Sequence, residues 1–290
     1  HERGKRGRGA GPGPLSPKPE SLTSVLVANC TSIESNLQLV VAQQPTCALL
    51  QEPRHSAGSI RRTAERVREA GYSPLWGSLA SGNSRRRQEV GLVAGLVRGR
   101  FAFTAPPPPT LARWASRVQH VVYAFGRGDR QVHFINIYGF SGARSNAATR
   151  EENESFLLAV FRYSDSLGDV PKFVVGDFND EVETSTVLSV ATAGGRYVDL
   201  VASAASARGD VAPPWTYRQR GPRGQEVTSR IDHAFANNVG AATVVGVDVL
   251  TDSGLPGHRP ILLRLDLPRA EQFVHSFKPP RPFPLGPGSV

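Results

Sequence analysis

A short apolar segment, residues 172–176, ends in glycine and is followed by the polar residues Asp177 and Asn179. Such a segment is typical of a buried strand at the point where it leaves its sheet. Because side chains alternate along a strand, Asp177 and Asn179 are predicted to lie on the same side of the chain. A carboxylate and an amide held together in this way suit metal binding and the positioning of a water molecule.

Other polar residues stand at the ends of other predicted strands. Asn29 ends the first strand, and Glu52 follows the strand at residues 46–50. Asp232 and His258 flank the last strands of the chain. Because α/β proteins build their sites at strand ends, we expect one sheet edge to collect all of these side chains.

The chemistry that such a set suits is metal-assisted hydrolysis of a phosphodiester. Glu52 would supply the hard oxygen ligand that Mg²⁺ prefers. Asp177 would orient or deprotonate the attacking water, and Asn179 would hold that water or a phosphate oxygen. His258, hydrogen-bonded to Asp232, would keep a fixed tautomer and stabilise the charge that develops on the phosphate.

The elements that must position these residues alternate between strands and helices along the chain. This order predicts an α/β layered domain whose sheet is covered by helices. Residues 126–129 are predicted to form the turn of a hairpin. Strands are predicted at residues 23–28, 46–50, 89–97, 118–125, 131–138, 172–177, 227–236, 242–247 and 261–265, and helices at 33–41, 59–70, 146–167 and 184–193.

Length and composition predict one globular domain. The chain has 290 residues, of which 39% are apolar and 20% charged. No apolar run approaches the roughly 20 residues that span a bilayer, and the N-terminus lacks the apolar core of a secretory signal. We therefore expect an intracellular protein, not a secreted one. The domain is predicted at residues 21–268, between a disordered basic Gly/Pro-rich tail at 1–20 and a Pro-rich tail at 269–290.

The formal charge of +9 is carried almost entirely by arginine. A GC-rich coding sequence accounts for most of this preference over lysine. A positive balance nevertheless favours association with polyanions, which gives weak support to a nucleic-acid substrate. The cluster at residues 84–87 could contact a phosphate backbone, although a solvated loop is the commoner role for such a run. Cys30 and Cys47 lie in apolar segments and are predicted to be buried free thiols.

Taken in order along the chain, these motifs resemble the endonuclease/exonuclease/phosphatase family. The resemblance covers roughly residues 23–267. Each motif is weak alone, but the set is specific, and the separations of 125 residues from Glu52 to Asp177, 55 to Asp232 and 26 to His258 are also similar to those of the family. The residues that carry it are Asn29, Gln51-Glu52, Tyr138, Gly176-Asp177-Phe178-Asn179, Arg230-Ile231-Asp232 and His258-Arg259-Pro260.

The resemblance implies a fold and a set of roles. The fold is an α/β four-layer sandwich of two mixed β-sheets flanked by helices. The implied cofactor is Mg²⁺, with Mn²⁺ as an alternative. By resemblance, Asn29 and Glu52 are metal-side residues; Asp177, Asn179, Asp232, His258 and Tyr138 are catalytic; and Asn179, Trp215 and Arg230 are substrate-binding.

Tyr138 matches a tyrosine found in apurinic/apyrimidinic endonucleases and in the endonuclease domains of non-LTR retrotransposons. The resemblance therefore favours a DNA-nicking endonuclease of retrotransposon type. Such a protein would be a monomeric domain of a larger polyprotein, with a nuclear location and no membrane partner, and a start at His1 rather than methionine suits a fragment of that kind. A phosphatase or an RNA deadenylase of the same fold is the alternative.

One departure from the family pattern lies beside the last histidine. The family usually has aspartate immediately before this histidine, and this chain has Gly257. Loss of that carboxylate is expected to weaken metal binding or the orientation of His258. A catalytically impaired nucleic-acid-binding remnant is therefore a third hypothesis.

Overall fold

The computed structural model describes residues 22–80, 90–99, 102–125, 130–221 and 224–269. Within them a 3-10 helix spans Pro109–Trp114. The helices are α1 (Ile33–Ala42), α2 (Ile60–Glu69), α3 (Ala147–Ser166), α4 (Thr186–Ala193), α5 (Leu200–Arg208) and α6 (Asn238–Thr243). The strands are β1 (Thr23–Asn29), β2 (Cys47–Gln51), β3 (Ser73–Trp76), β4 (Leu79–Ala80), β5 (Val90–Gly91), β6 (Val93–Val97), β7 (Ala102–Ala105), β8 (Val118–Phe125), β9 (Arg130–Tyr138), β10 (Lys172–Asp177), β11 (Tyr197–Asp199), β12 (Tyr217–Arg220), β13 (Glu226–Ser229), β14 (Asp232–Asn237), β15 (Val244–Val249) and β16 (Ile261–Leu265).

Twelve of these strands form two six-stranded sheets. The first sheet has the order β15-β16-β1-β2-β6-β3, and the second has the order β11-β14-β10-β9-β8-β7. Both are mixed, because β1 and β2 pair in parallel, as do β9 and β10, while their other neighbours are antiparallel. The strands β12 and β13 form a separate antiparallel hairpin.

The alternation of side chains along the strands produces four layers. Val25 of the first sheet and Phe173 of the second belong to one buried cluster between the two sheets. Leu26 points the other way and packs with Leu37 of α1. On the far side of the second sheet, Phe156 of α3 packs on that sheet's outer face. The helix–sheet–sheet–helix arrangement confirms the predicted fold.

A buried amide pair joins the two sheets directly below the site. Gln51 Nε2 donates to Asn136 Oδ1 over 2.6 Å, and neither side chain is exposed. Asn136 Nδ2 in turn donates to the carbonyl of Leu50. Because buried polar groups are costly unless paired, this link specifies how the sheets sit on one another. It also holds Glu52, which follows Gln51, near Tyr138, which lies two residues beyond Asn136.

Some elements differ from the sequence-based predictions. The single strand predicted at residues 227–236 is two strands, β13 and β14, interrupted at Arg230 and Ile231. At that break Phe178 N donates to the carbonyl of Ile231, so the chain leaves the hairpin to join the second sheet. The short edge strands β3 and β7 were not predicted, because edge strands of four residues carry little periodicity.

Some predictions fall outside the described residues. These are the turn at 126–129, the arginine cluster at 84–87, and the tails at 1–20 and 269–290 except Arg269. The domain bounds 21–268 stay a prediction. None of the helices in the described ranges is both long and apolar enough to cross a membrane.

Candidate active site

Most of the polar residues singled out in the sequence meet at one end of the sandwich, between the two sheets rather than along one of them. Asn29 ends β1 in the first sheet, and Asp177 ends β10 in the second. Asp232 begins β14 and is paired in register with Asp177. Tyr138 ends β9 and is also in register with Asp177.

Asn29 connects two carboxylates of the site, those of Asp177 and Glu52. Its Nδ2 donates to Asp177 Oδ2 over 3.0 Å and lies 3.3 Å from Glu52 Oε1. Its Oδ1 accepts from the backbone N–H of Thr31 over 3.0 Å. In this geometry Asn29 orients the carboxylates through its nitrogen. Ligation of a metal by Asn29 Oδ1, as the resemblance implies, stays a prediction. It would require the amide group to flip, so that Oδ1 and Nδ2 exchange positions.

Glu52 lies on a tight turn that directs its carboxylate into the site. Its φ of +48° and the φ of +50° at Arg54 are left-handed, which turns the chain back on itself. Tyr138 Oη donates to Glu52 Oε1 over 2.5 Å, and the Arg54 guanidinium donates twice to Oε2. Burial alone would raise the pKa of Glu52, but these donors outweigh it and lower that pKa. The Glu52 side chain is therefore a carboxylate held by a neighbouring cation.

The turn after β10 requires unusual backbone angles. Gly176 has a φ of +138°, and a Cβ there would lie 2.1 Å from the carbonyl oxygen of Ile137, so only glycine fits. Asn179 has a φ of +54°, a conformation that asparagine adopts more readily than most residues. Its N–H donates to Asp177 Oδ1 over 2.9 Å. Asn179 Nδ2 donates to the carbonyl of Gly139 over 3.3 Å.

His258 and Asp232 form the predicted pair. His258 Nδ1 lies 3.1 and 3.0 Å from the two carboxylate oxygens of Asp232. His258 Nε2 lies 4.0 Å from Asp177 Oδ2. Burial would lower the pKa of His258, but the charge and hydrogen bond of Asp232 dominate and raise it to about 9. The imidazole is therefore positively charged at neutral pH.

Asp177 lies at the centre of the site and is 2% exposed. Burial and the nearby Asp232 carboxylate raise the pKa of Asp177, and His258 and Asn29 only partly offset them. The Asp177 carboxylate is therefore easier to protonate than that of an exposed aspartate.

A divalent cation would offset the repulsion between the Asp177 and Asp232 carboxylates. One ligand atom each from Asp177, Asp232 and His258 lie within 4.8 Å of one another. Because both nitrogens of the charged His258 imidazole carry protons, the two carboxylates are the metal donors of this group. The carboxylates of Glu52, Asp177 and Asp232 are hard oxygen donors of the kind that Mg²⁺ prefers. The donor set therefore fits the metal that the resemblance implies. Glu52, however, forms an ion pair with Arg54 and lies outside the close group of ligand atoms.

A cleft of about 490 Å³ opens over these residues. The sequence did not single out several of its lining residues, because they lie in loops and on the hairpin, where no periodicity marks them. Arg144 brings a positive charge to the rim and lies 3.4 Å from Glu181. Tyr217 packs its ring on His258, with ring centres 4.6 Å apart. The lining consists of Glu52, Ser141, Gly142, Arg144, Ser145, Asp177, Asn179, Tyr217, Gln219, Val227, Ile231 and His258.

Arg230 is not among the residues that line the cleft. It is 9% exposed, and its Nη1 donates to Asp199 Oδ2 over 2.6 Å. The same nitrogen lies 3.1 Å from His233 Nδ1. On a regular strand, Arg230 and Asp232 would face the same side because they are two residues apart. The chain is irregular between β13 and β14, so their side chains face different surroundings. The structure therefore places Arg230 in a buried ion pair rather than among the residues that line the cleft. Its role in substrate binding stays a prediction.

Trp215 lies beside the cleft rather than in it. Its ring packs against Arg259, whose Cζ is 3.2 Å from the ring centre, and lines a small second pocket. Gly257 lines this pocket together with Trp215 and Arg259, and it has a φ of +73°. An added Cβ there would meet Tyr217 at 3.5 Å, an ordinary contact, so the departure from the family pattern reflects the backbone conformation and not crowding.

The family's sequence profile, described as the endonuclease/exonuclease/phosphatase family, matches residues 29–254. No curated protein sequence gives a significant match to the chain. Among solved structures, a 3' phosphatase (NExo) from Neisseria, bound to a product DNA hairpin, is 18% identical, covers 84% of this chain and 99% of that chain, and has a TM-score of 0.64. An AP endonuclease from Archaeoglobus fulgidus is 16% identical over 84% of this chain and 99% of that chain, also with a TM-score of 0.64.

A retrotransposon protein is similar as well. The endonuclease domain of TRAS1, a telomere-specific non-LTR retrotransposon, is 14% identical over 84% of this chain and 98% of that chain, with a TM-score of 0.57. At these identities the solved structures establish a shared fold, and the profile match establishes descent. The chain belongs to the endonuclease/exonuclease/phosphatase family.

Proposed function

We propose that this chain is an Mg²⁺-dependent phosphodiester hydrolase that nicks DNA, of the type found in retrotransposons. The observation that carries the proposal is the position of Asp177, which lies between the amide of Asn29 and the Asp232–His258 pair at the base of an open cleft. This places a buried carboxylate, a charged imidazole and several hard oxygen ligands around one point.

Each side chain of the site has a separate role in the proposed hydrolysis. Glu52, Asp177 and Asp232 would hold the divalent cation, which supplies Lewis-acid stabilisation of the phosphate when bound. Asp177, whose pKa is raised by burial and by Asp232, accepts the proton of the attacking water. Asn179 orients that water. The charged His258 stabilises the negative charge on the phosphate oxygens.

Tyr138 keeps Glu52 in place through its 2.5 Å hydrogen bond. Burial and the adjacent Glu52 carboxylate raise the pKa of the Tyr138 hydroxyl, so it remains a neutral donor over the physiological range. Tyr138 thereby fixes the position of the Glu52 carboxylate.

Two observations support a DNA substrate. The cleft is open and bordered by Arg144, which suits a polyanionic strand. The similar structures carry the names of an AP endonuclease, a 3' phosphatase bound to a DNA hairpin and a retrotransposon endonuclease domain. A nuclear location and a larger polyprotein as context would suit this activity, and both belong to the proposal.

Nicking of supercoiled plasmid in Mg²⁺ tests the proposal. The unmodified chain should convert supercoiled to open-circular DNA, and EDTA should stop it. Asp177→Asn should reduce the rate by at least about 10²-fold, because it removes the proton acceptor and a ligand. Asp165→Asn is a matched control, since Asp165 bonds to Tyr197 and Arg196 at the opposite end of the second sheet. Equal nicking by Asp177→Asn and the unmodified chain would contradict the proposal.

A substrate panel separates the alternatives within the fold. Abasic duplex, a hairpin with a 3' phosphate, poly(A) and a phosphoinositide should be compared under the same conditions. Faster hydrolysis of poly(A) would indicate a deadenylase, and release of phosphate alone would indicate a phosphatase. Tight DNA binding without turnover of any substrate would indicate that Gly257 has left an impaired nucleic-acid-binding protein.

A further inference from the structure

Two arginines share one tryptophan on the side of His258 that faces away from the cleft. Arg259 Cζ lies 3.2 Å from the centre of the Trp215 ring, and Arg218 Cζ lies 5.8 Å from it. Cations are attracted to the face of an indole, so each contact alone is favourable. Two guanidinium groups at one ring also repel each other, and that repulsion favours an anion between them.

The cluster is not neutralised by its own neighbours. Arg218 lies 3.4 Å from Glu226, but both side chains are more than half exposed, and such pairs contribute little. Arg259 makes no ion pair with any residue that the structure describes, and the nearby Asp252 is exposed and acts on it only at a distance. The three residues Trp215, Arg218 and Arg259 therefore form a positively charged surface, hereafter the Trp215 cluster.

Backbone hydrogen bonds tie the Trp215 cluster to the catalytic pair. Arg259 N donates to the carbonyl of Thr216 over 2.6 Å, and Arg218 N donates to the carbonyl of Gly257 over 2.8 Å. Thr216 Oγ1 accepts from the N–H of Asp232 over 3.0 Å. The cluster thus has a fixed position relative to Asp232 and His258, so little ordering is needed when a ligand binds.

A pocket of about 130 Å³ lies at the Trp215 cluster. Hydroxyl groups of Thr251 and Ser253 line it together with both arginines, so it combines charge with neutral donors. His258 borders this pocket and the catalytic cleft alike. Because side chains alternate along β12, Tyr217 faces the cleft while Arg218 faces the pocket.

We propose that the Trp215 cluster is a second phosphate site, which binds a backbone phosphate of the nucleic acid other than the one hydrolysed in the cleft. The proposal rests on the proposed function for the identity of its ligand. Arginine suits this role because its planar donors match phosphate oxygens. A strand held here and in the cleft would be fixed on both sides of His258.

Salt dependence of DNA binding tests the proposal without requiring cleavage. A labelled duplex is titrated with the full chain in EDTA at 50–200 mM salt, and fluorescence anisotropy gives the slope of log K against log salt. Each phosphate contact contributes about 0.9 to this slope on duplex DNA. Arg259→Gln should reduce the slope by about 0.9, and Arg259→Lys, which retains the charge, should leave it unchanged. Arg218→Gln should also reduce the slope. This second variant does not depend on the short contact between Arg259 and the Trp215 ring.

Arg196→Gln is the matched control. Arg196 is also an exposed arginine, but it lies next to Tyr197, which pairs with Asn237 at the end of β14 farthest from Asp232. The slope of log K against log salt for Arg196→Gln should equal that of the unmodified chain. An unchanged slope in both Arg259→Gln and Arg218→Gln would overturn the inference, as would the absence of DNA binding by the unmodified chain.

Plasmid nicking, measured separately, distinguishes the two proposals. A chain that nicks DNA but shows no slope change in these variants retains the proposed function without the second site. A chain that binds with the expected slopes but does not nick retains the second site without the proposed function.

Discussion

Asn29 and Asp177 lie on different β-sheets and 148 residues apart in sequence, and Asn29 Nδ2 donates to Asp177 Oδ2 over 3.0 Å. The same nitrogen lies 3.3 Å from Glu52 Oε1. One amide therefore sets the separation of two carboxylates that would otherwise repel each other. Because the bond crosses from sheet to sheet, the packing of the sandwich determines the geometry of the site.

Arg54 is expected to compete with the metal for Glu52. Its guanidinium is bonded to Glu52 Oε2, so a cation that binds this carboxylate must share or displace it. Arg54→Gln should therefore tighten Mn²⁺ binding several-fold, as measured by EPR of the free ion. Arg61→Gln, which alters an exposed arginine paired with Glu65 on α2, should have no effect. Weaker binding in Arg54→Gln would instead mean that Arg54 holds Glu52 in position for the metal.

Gly257→Asp tests the departure from the family pattern. The substitution restores a carboxylate beside His258, and the space around an added Cβ is sufficient. Gly257→Asn is the matched control, since asparagine tolerates the φ of +73° equally and carries no charge. We expect kcat for plasmid nicking to be about 10-fold higher in Gly257→Asp than in Gly257→Asn, equivalent to about 1.4 kcal/mol. Equal kcat in the two variants would show that the missing carboxylate is not limiting.

The same two substitutions should lower stability to a similar extent. A side chain at a left-handed position costs about 1 kcal/mol or more relative to glycine. Gly257 also borders the Trp215 cluster, so the carboxylate of Gly257→Asp should raise KM for DNA while kcat rises. Urea unfolding and the separate values of kcat and KM measure these effects.

Asp232 controls the charge of His258. Burial favours neutral imidazole, whereas Asp232 raises the pKa to about 9. This interaction therefore stabilises the fold below the ordinary histidine pKa of about 6.5 and is lost as the pH rises through about 9. In Asp232→Asn the pKa of His258 should fall below about 9, because only the carboxylates of Asp177 and Glu52 then oppose the effect of burial. NMR titration of the metal-free protein measures this change. Asp199→Asn, a buried carboxylate bonded to Arg230 instead, should leave that titration unchanged.

His55 should make the protein acid-sensitive. It is fully buried against Trp76, and its two ring nitrogens have no hydrogen-bond partner among the described residues. Burial lowers the pKa of His55 to about 4. The unfolded chain therefore binds a proton below about pH 6.5 that the folded chain does not, so the free energy of unfolding falls between pH 6.5 and about 4.

His55→Leu should remove this contribution, which is on the order of 2 kcal/mol at pH 5 or below. Urea unfolding at pH 7.5 and pH 5 measures it. Some acid sensitivity should persist, because burial lowers the pKa of His120 and of His133 in the same direction. An equally steep loss of stability in His55→Leu and in the unmodified chain would contradict the prediction.

Local patterns in the sequence predicted most of the strands and helices and the positions of Asn29 and Asp177 at strand ends. They also determined that Asp177 and Asn179 come together at the end of one strand. These features depend on the two-residue period of strands and on the conformational preferences of glycine and asparagine, which act over a few residues.

The tertiary structure alone decided which side chains share the site. Arg230 lies next to Ile231 in the sequence, yet its ion pair with Asp199 points it away from the cleft. Arg259 meets Trp215 because the β12–β13 hairpin packs beside the loop of His258, and that loop also brings His258 to Asp232. Contacts between residues far apart in sequence depend on how two sheets and a hairpin pack, and no local pattern encodes that packing.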